Sequence, residues 1–237
     1  MVSEKILTNL KKSSWIRAMF EQGESLRKKY GADNVYDFSL GNPDLEPPQT
    51  VKEVLKKTVL SDIPKMHGYM SNAGYADVRA AVAEHLSKTK GVPVEASHVV
   101  MQCGAGGAMN VVLKTILNPG EEVIVLAPYF AEYLFYIDNH GGVPVIVDTD
   151  RETFQPDAKK IHDAITPKTK AIIINSPNNP TGVIYSRSSL ESIAEVIEKR
   201  QKEFGTTICV ISDEPYDKIV YDGAEVPSVF TVFKNSI

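Results

Sequence analysis

Cysteine is scarce in this chain of 237 residues, with only Cys103 and Cys209, far apart in sequence. A disulfide-stapled scaffold is not expected, and a cytoplasmic setting is the default reading. Long hydrophobic runs are also missing. "VIVLA" at 123–127 is far shorter than the roughly 20 residues a membrane helix needs, so no membrane partner is expected. The opening stretch "MVSEKILTNLKKSSW" has no apolar core of the kind a secretory signal carries. Clustered positive charge is absent. Lys and Arg total 26 against 30 acids, a net charge of −4, and no nucleic-acid partner is expected. The five histidines (His67, His85, His98, His140, His162) follow no HxxxH or HxH spacing, and no metal site is expected. What remains is ordinary globular composition, 43% hydrophobic and 24% charged. That is enough for one large domain, or one domain and a small one.

The N-terminal part reads as helical. Residues 13–29 carry Trp15, Ile16, Met19, Phe20 and Leu26 near one face, with Gly31 as a stop. Residues 35–48 read as a short extended piece and a turn-rich linker. Thr50 and Glu53 have capping-box spacing, which predicts a helix to about Leu60. Another helix is predicted over 75–90, ended by Gly91 and Pro93. From there short apolar strands alternate with helices. Strands are predicted at 98–102, 121–127, 143–148, 170–175 and 206–212, with helices at 108–117, 129–140, 157–165 and 188–204. This alternation predicts an α/β fold, a mainly parallel sheet with helices on both faces. In such sheets ligands bind beyond the carboxyl ends of the strands, where the unusual residues of this chain fall.

Three stretches stand out. "CGAGGAMN" (103–110) places glycines between a predicted strand and a helix. Exposed backbone N–H groups at a helix N-terminus suit a phosphate, although a tight strand–helix turn explains the glycines as well. The dinucleotide fingerprint fails, because Met109 occupies its third glycine, and no G-K-[ST] marks a nucleotide P-loop. "APYFAEY" (127–133) sets Phe130 beside Tyr129 and Tyr133 after a strand, either to stack on a flat ring or to pack in the core. "SDEPYDKIVYDG" (212–223) ends a hydrophobic strand on Asp213, a costly place for a carboxylate without a cation or donors. Read alone, "DEPY" is also a helix N-cap. "AIIINSPNNPTG" (171–182) drives an apolar strand into a rigid polar corner, where a cis Asn179–Pro180 bond is expected. Together they point to a ligand with a phosphate, a flat ring and a ring atom that can be cationic. Pyridoxal 5′-phosphate has these features.

"SLGNPD" (39–44), "GYMSNAGYADVR" (68–79), "CGAGGA" (103–108), "APYF" (127–130), "NSPNNPTG" (175–182) and "DEPY" (213–216) follow one another in an order and spacing that resemble the class I/II aminotransferases, of fold type I among pyridoxal-phosphate enzymes. The resemblance implies an N-terminal arm with part of a small domain at 1–45, and a large cofactor domain, incomplete at its C-terminus, at 46–237. It implies that the backbone N–H groups of Ala105 and Gly106 hold the phosphate, where many members carry a hydroxyl residue at 106. Phe130 would stack on the ring, Asp213 would meet the ring nitrogen, and Asn179 and Tyr216 the ring oxygen. Tyr69 would reach the phosphate in the neighbouring subunit of a homodimer with shared active sites, and Gly41 would lie near the substrate carboxylate. The substrates would be an amino acid and a 2-oxo acid.

The same resemblance calls for a Schiff-base lysine in an S-x-S-K-like segment well after the aspartate. Lys234, in "VFTVFKNSI", lacks that context and reads as a surface turn or a strand start. No catalytic residue is therefore assigned within the chain, which reads as the N-terminal portion of such an enzyme, either a fragment of a longer chain or a truncated product. Lyase or synthase chemistry on the same fold, and a non-catalytic cofactor-binding regulatory domain, are the competing readings.

Overall fold

The structure, a computed structural model, describes the backbone of all residues except 39–40 and 42–44; side chains are described except for these and for 9–18 and 20. Of "SLGNPD" only Gly41 is therefore described, and the side chains of Trp15, Ile16 and Phe20 lie outside the described residues. The chain divides into two compact units, Met1–Gly68 and Tyr69–Ile237.

In the first unit, α1 (Glu4–Tyr30) starts where the Ser3 hydroxyl accepts from the Ile6 N–H, and stops at Gly31 with φ +85°. It begins nine residues earlier than the apolar pattern suggests, because Ser3 provides a cap there. Arg27 pairs with Asp37 at 3.3 Å, which ties the extended segment back to α1. α2 (Gln49–Val59) has Pro48 at its N-cap and no side-chain cap bond. The expected Thr50–Glu53 box does not form: the helix begins at Gln49, so Thr50 is already inside the first turn.

The second unit begins with α3 (Ala76–Lys90), ended by Gly91 in the left-handed region. The strand expected at 98–102 is not formed. Residues 96–98 make a 3-10 turn, and the backbone N–H of Met101 donates to the Ala73 carbonyl at 2.9 Å instead of to a strand. β-propensity alone does not make a strand without a neighbouring edge. Then follow α4 (Gly104–Ile116), β1 (Glu122–Ala127), α5 (Glu132–Asn139), β2 (Val143–Asp148), α6 (Ala158–Ala164), β3 (Thr169–Asn175), α7 (Arg187–Phe204) and β4 (Cys209–Asp213).

The four strands form one parallel sheet in the order β2-β1-β3-β4. Alternate side chains feed two cores, as the period of two in a strand requires. Ile124, Leu126, Ile172 and Ile174 pack with Ile161, Leu190, Ile193 and Ile197 from α6 and α7. Val123, Val125, Ala171 and Ile173 pack with Met109, Leu113, Tyr133 and Ile137 from α4 and α5. Both faces are covered, as expected for parallel strands. Beside β4 runs the chain end: the Val210 and Ser212 N–H groups donate to the Asn235 and Ile237 carbonyls at 2.8 and 2.9 Å. Lys234 lies in a bend two residues before the Ser236 bridge, its ammonium exposed and 2.9 Å from Glu198, in keeping with the surface-turn reading rather than a strand start.

The connection from β1 runs outward to β2, and that from β2 returns across β1 to β3. The reversal lies between β1 and β3, the position where open α/β sheets form a crevice at their carboxyl edge.

Candidate active site

Around this crevice the carboxyl ends of three strands and the start of α4 come together. β3 and β4 end in register, Asn175 beside Asp213. Asn175 is buried, and both ends of its amide are used. Its Nδ2 donates to the Asp213 carbonyl at 2.9 Å, and its Oδ1 accepts from the Asn179 N–H at 2.7 Å. The corner beyond β3 closes on itself: the Gly182 N–H donates to the Asn178 carbonyl at 2.7 Å, and Gly182 sits at φ +73°. Asn178 Oδ1 accepts from the Thr181 N–H and hydroxyl at 3.1 and 2.8 Å. Across the crevice Asn178 Nδ2 reaches the Pro128 carbonyl at 3.4 Å. The Asn179–Pro180 bond is cis, as are Ser176–Pro177 and Ala127–Pro128. So held, the Asn179 amide donates to the Tyr216 hydroxyl at 3.3 Å.

Asp213 is half-buried at the end of β4. The Tyr133 hydroxyl donates to its Oδ2 at 2.6 Å. Among the described residues no cationic side chain pairs with it. Burial raises its carboxyl above the usual carboxylate range; the Tyr133 bond opposes that and the Glu214 charge adds to it. Burial, then the Asp213 charge, pushes the Tyr133 phenol far up, so it stays a donor. A carboxylate so placed gains most from a cation brought by a ligand. The Phe130 and Tyr133 rings form a T-shaped pair, centroids 5.6 Å apart at an interplanar angle of 83°.

α4 begins at Gly104, φ +73°, behind Cys103, which makes no side-chain cap bond. The N–H groups of Ala105 and Gly106 lie in the first turn, where no intrahelical carbonyl can accept from them. The Tyr136 hydroxyl, from α5, lies 2.9 Å from where a Cβ on Gly106 would stand.

Of the eight expected site residues, Asn179 and Tyr216 are joined directly, Asp213 and Phe130 both meet Tyr133, and Gly106, next to Ala105, lies against the hydroxyl of Tyr136 one turn further along α5. Tyr69 does not join them; it is fully exposed at the start of the second unit. Gly41 belongs to the first unit and is open, with nothing within 4 Å of a Cβ built there. The sequence reading missed Tyr133 as the partner of Asp213. It also missed Asn175 as the brace beneath both strands, a role that its strand-end position opposite Asp213 could have suggested. A third omission is Lys90, whose ammonium lies between Glu214 and Asp217 behind "DEPY".

The profile of the family described as aminotransferase class I and II matches residues 33–235. A probable aspartate/prephenate aminotransferase of Thermus aquaticus is 40% identical over 84% of this chain and 49% of its own length. A probable N-acetyl-LL-diaminopimelate aminotransferase of Bacillus subtilis is 36% identical over 80% of this chain and 46% of its own. The crystal structure of an aminotransferase from Eubacterium rectale, 38% identical, superposes with a TM-score of 0.93 over all of this chain and 60% of its own. The chain spans about half the length of the curated relatives it matches.

Proposed function

This chain belongs to the class I and II aminotransferase family, and on that premise we propose that the protein transfers an amino group from an amino acid to a 2-oxo acid with pyridoxal 5′-phosphate as cofactor. The observation that carries the reading is Asp213: a half-buried carboxylate at the sheet's carboxyl edge, held by a phenol and lacking a cation among the described residues. A pyridinium nitrogen is the cation that fits it.

The residues present fit the rest of the cofactor. The free N–H groups at the start of α4, from Ala105 and Gly106, suit its phosphate. Asn179 and Tyr216, already joined, present an amide and a hydroxyl to the ring oxygen. Phe130 offers an aromatic face for stacking. When bound, the cofactor acts as an electron sink for the substrate carbanion. The protein's part is to hold the ring and keep its nitrogen charged: Asp213 supplies the negative charge, while Tyr133 keeps that carboxylate oriented. None of this chain's residues is assigned the Schiff-base role, since Lys234 is engaged with Glu198 beside α7.

On the same reading residues 1–45 form an arm and 46–237 the large domain. The enzyme is a cytoplasmic homodimer in which exposed Tyr69 reaches the partner's phosphate site and Gly41 lies near the substrate carboxylate. Two unpaired cysteines agree with the location. The test is turnover of amino donors by the full-length protein with 2-oxoglutarate. Glutamate formed in step with the keto acid supports transamination; keto acid without glutamate overturns it in favour of lyase chemistry.

A further inference from the structure

Tyr136 sits on α5, one turn beyond Tyr133. Long side chains on a helix lean toward its N-terminus, and the start of α5 borders the crevice. The Tyr136 hydroxyl ends over the first turn of α4. A Cβ built on Gly106 would stand 2.9 Å from the hydroxyl oxygen and 3.6 Å from Cζ. The two helices therefore meet where the Ala105 and Gly106 N–H groups are open. No hydrogen bond joins the Tyr136 hydroxyl to another described residue. Gly106 itself is held from below, where Asn110 Nδ2 donates to its carbonyl at 2.8 Å and His140 Nε2 lies 3.1 Å from Asn110 Oδ1.

We infer that Tyr136 is a ligand of the cofactor's phosphate, its hydroxyl supplying from α5 the side-chain donor that residue 106 lacks. The inference rests on the reading that a phosphate ester occupies the start of α4. It also explains Gly106. Any side chain there would take the space the hydroxyl uses, so glycine and tyrosine form a matched pair. The Tyr136 phenol titrates above its ordinary value, through burial and then the charges of Glu132 and Asp213, and so remains a donor at neutral pH.

The test compares pyridoxamine 5′-phosphate with pyridoxamine, which lacks the phosphate, as ligands of the apo form of the full-length protein. Dissociation constants are taken for wild type, Tyr136→Phe, Gly106→Ser and the double variant. Tyr136→Phe should weaken the phosphate ester about tenfold, the scale of one hydrogen bond to a charged group, and leave pyridoxamine unchanged. Gly106→Ser should weaken the ester by collision. The double variant, with a hydroxyl at 106 and none at 136, should return to within about threefold of wild type. Equal affinity of Tyr136→Phe and wild type for the ester overturns the inference, as does an equal loss for both ligands. A wild-type protein that does not bind the ester overturns the functional reading, and the inference with it.

Discussion

The Tyr133 hydroxyl donates to Asp213 Oδ2 across 2.6 Å, joining the first turn of α5 to the last residue of β4. One side chain thus serves two ends: its ring lies in the core between α5 and the sheet, and its hydroxyl restrains the half-buried carboxylate. Tyr133→Phe keeps the ring and removes the donor. The Asp213 carboxyl should then titrate higher still, because a bond that favours its charged form is gone. The variant should lose about 1.5 kcal/mol of stability and bind pyridoxamine 5′-phosphate more weakly, more so at low pH. A carbon-13 NMR titration of the carboxyl checks the first effect.

The pH dependence of stability follows from the same carboxylate. Its folded value lies above the ordinary 3.8, chiefly through burial. The stability it contributes is therefore full below 3.8 and is lost as pH rises through the folded value. In urea unfolding of the apo protein, wild type should lose stability relative to Asp213→Asn across that window and run parallel to it above. A cation bound at Asp213 lowers its titration and reverses the sign, so saturating pyridoxamine 5′-phosphate should stabilise wild type more as pH rises. Parallel curves at every pH would show that the carboxyl titrates alike in both states.

Much of this arrangement was legible because each signal was local. Strand–helix alternation from 121 onward announced the parallel sheet, and "NSPNNPTG" and "DEPY" lie at strand ends where ligands bind. What failed depended on neighbours. Residues 98–102 look like a strand, but only Ala73 receives the Met101 N–H. Thr50 and Glu53 have the right spacing, yet the helix starts one residue before Thr50. Tyr133 and Asp213 are 80 residues apart, and nothing in either local sequence announces the other. The same holds for Gly106 and Tyr136, whose relation arises only when α4 packs beside α5.

Lys90 offers a test of support at a distance. Its ammonium, at the end of α3, contacts Glu214 and also Asp217 at 3.2 Å, and all three side chains are mostly buried. Burial alone would lower its titration, but the two acids outweigh it and raise it. Lys90→Met leaves Glu214 without its cation, and Asp217 with only the exposed Lys218 ammonium at 4.0 Å, next to Asp213 and Tyr216. It should cost about 2 kcal/mol of stability, little affected by salt. Lys88→Met, which breaks the exposed pair with Glu84, should change almost nothing. Equal effects of the two substitutions in urea unfolding would mean that the Lys90 cluster contributes no more than a surface pair.

Asn175 carries the last prediction. It is 5% exposed, and its amide spends its donor on the Asp213 carbonyl and its acceptor on the Asn179 N–H. Asn175→Ala leaves that carbonyl and that N–H without partners in a closed corner, at about 1–3 kcal/mol for each group. A loss of about 3 kcal/mol in urea unfolding is expected. Binding should weaken too, because the Asn179 amide that meets Tyr216 loses its backbone anchor. Asn175→Asp separates the two roles. It keeps the acceptor toward Asn179, loses the donor toward Asp213, and sets a second carboxyl beside the end of β4. Like charges so close raise each other's titration, so the aspartate variant should be less damaged at pH 5 than at pH 8, while the alanine variant keeps a similar deficit at both. If both variants unfold at the wild-type urea concentration, the strand ends are held by the sheet alone, and Asn175 does not position Asn179.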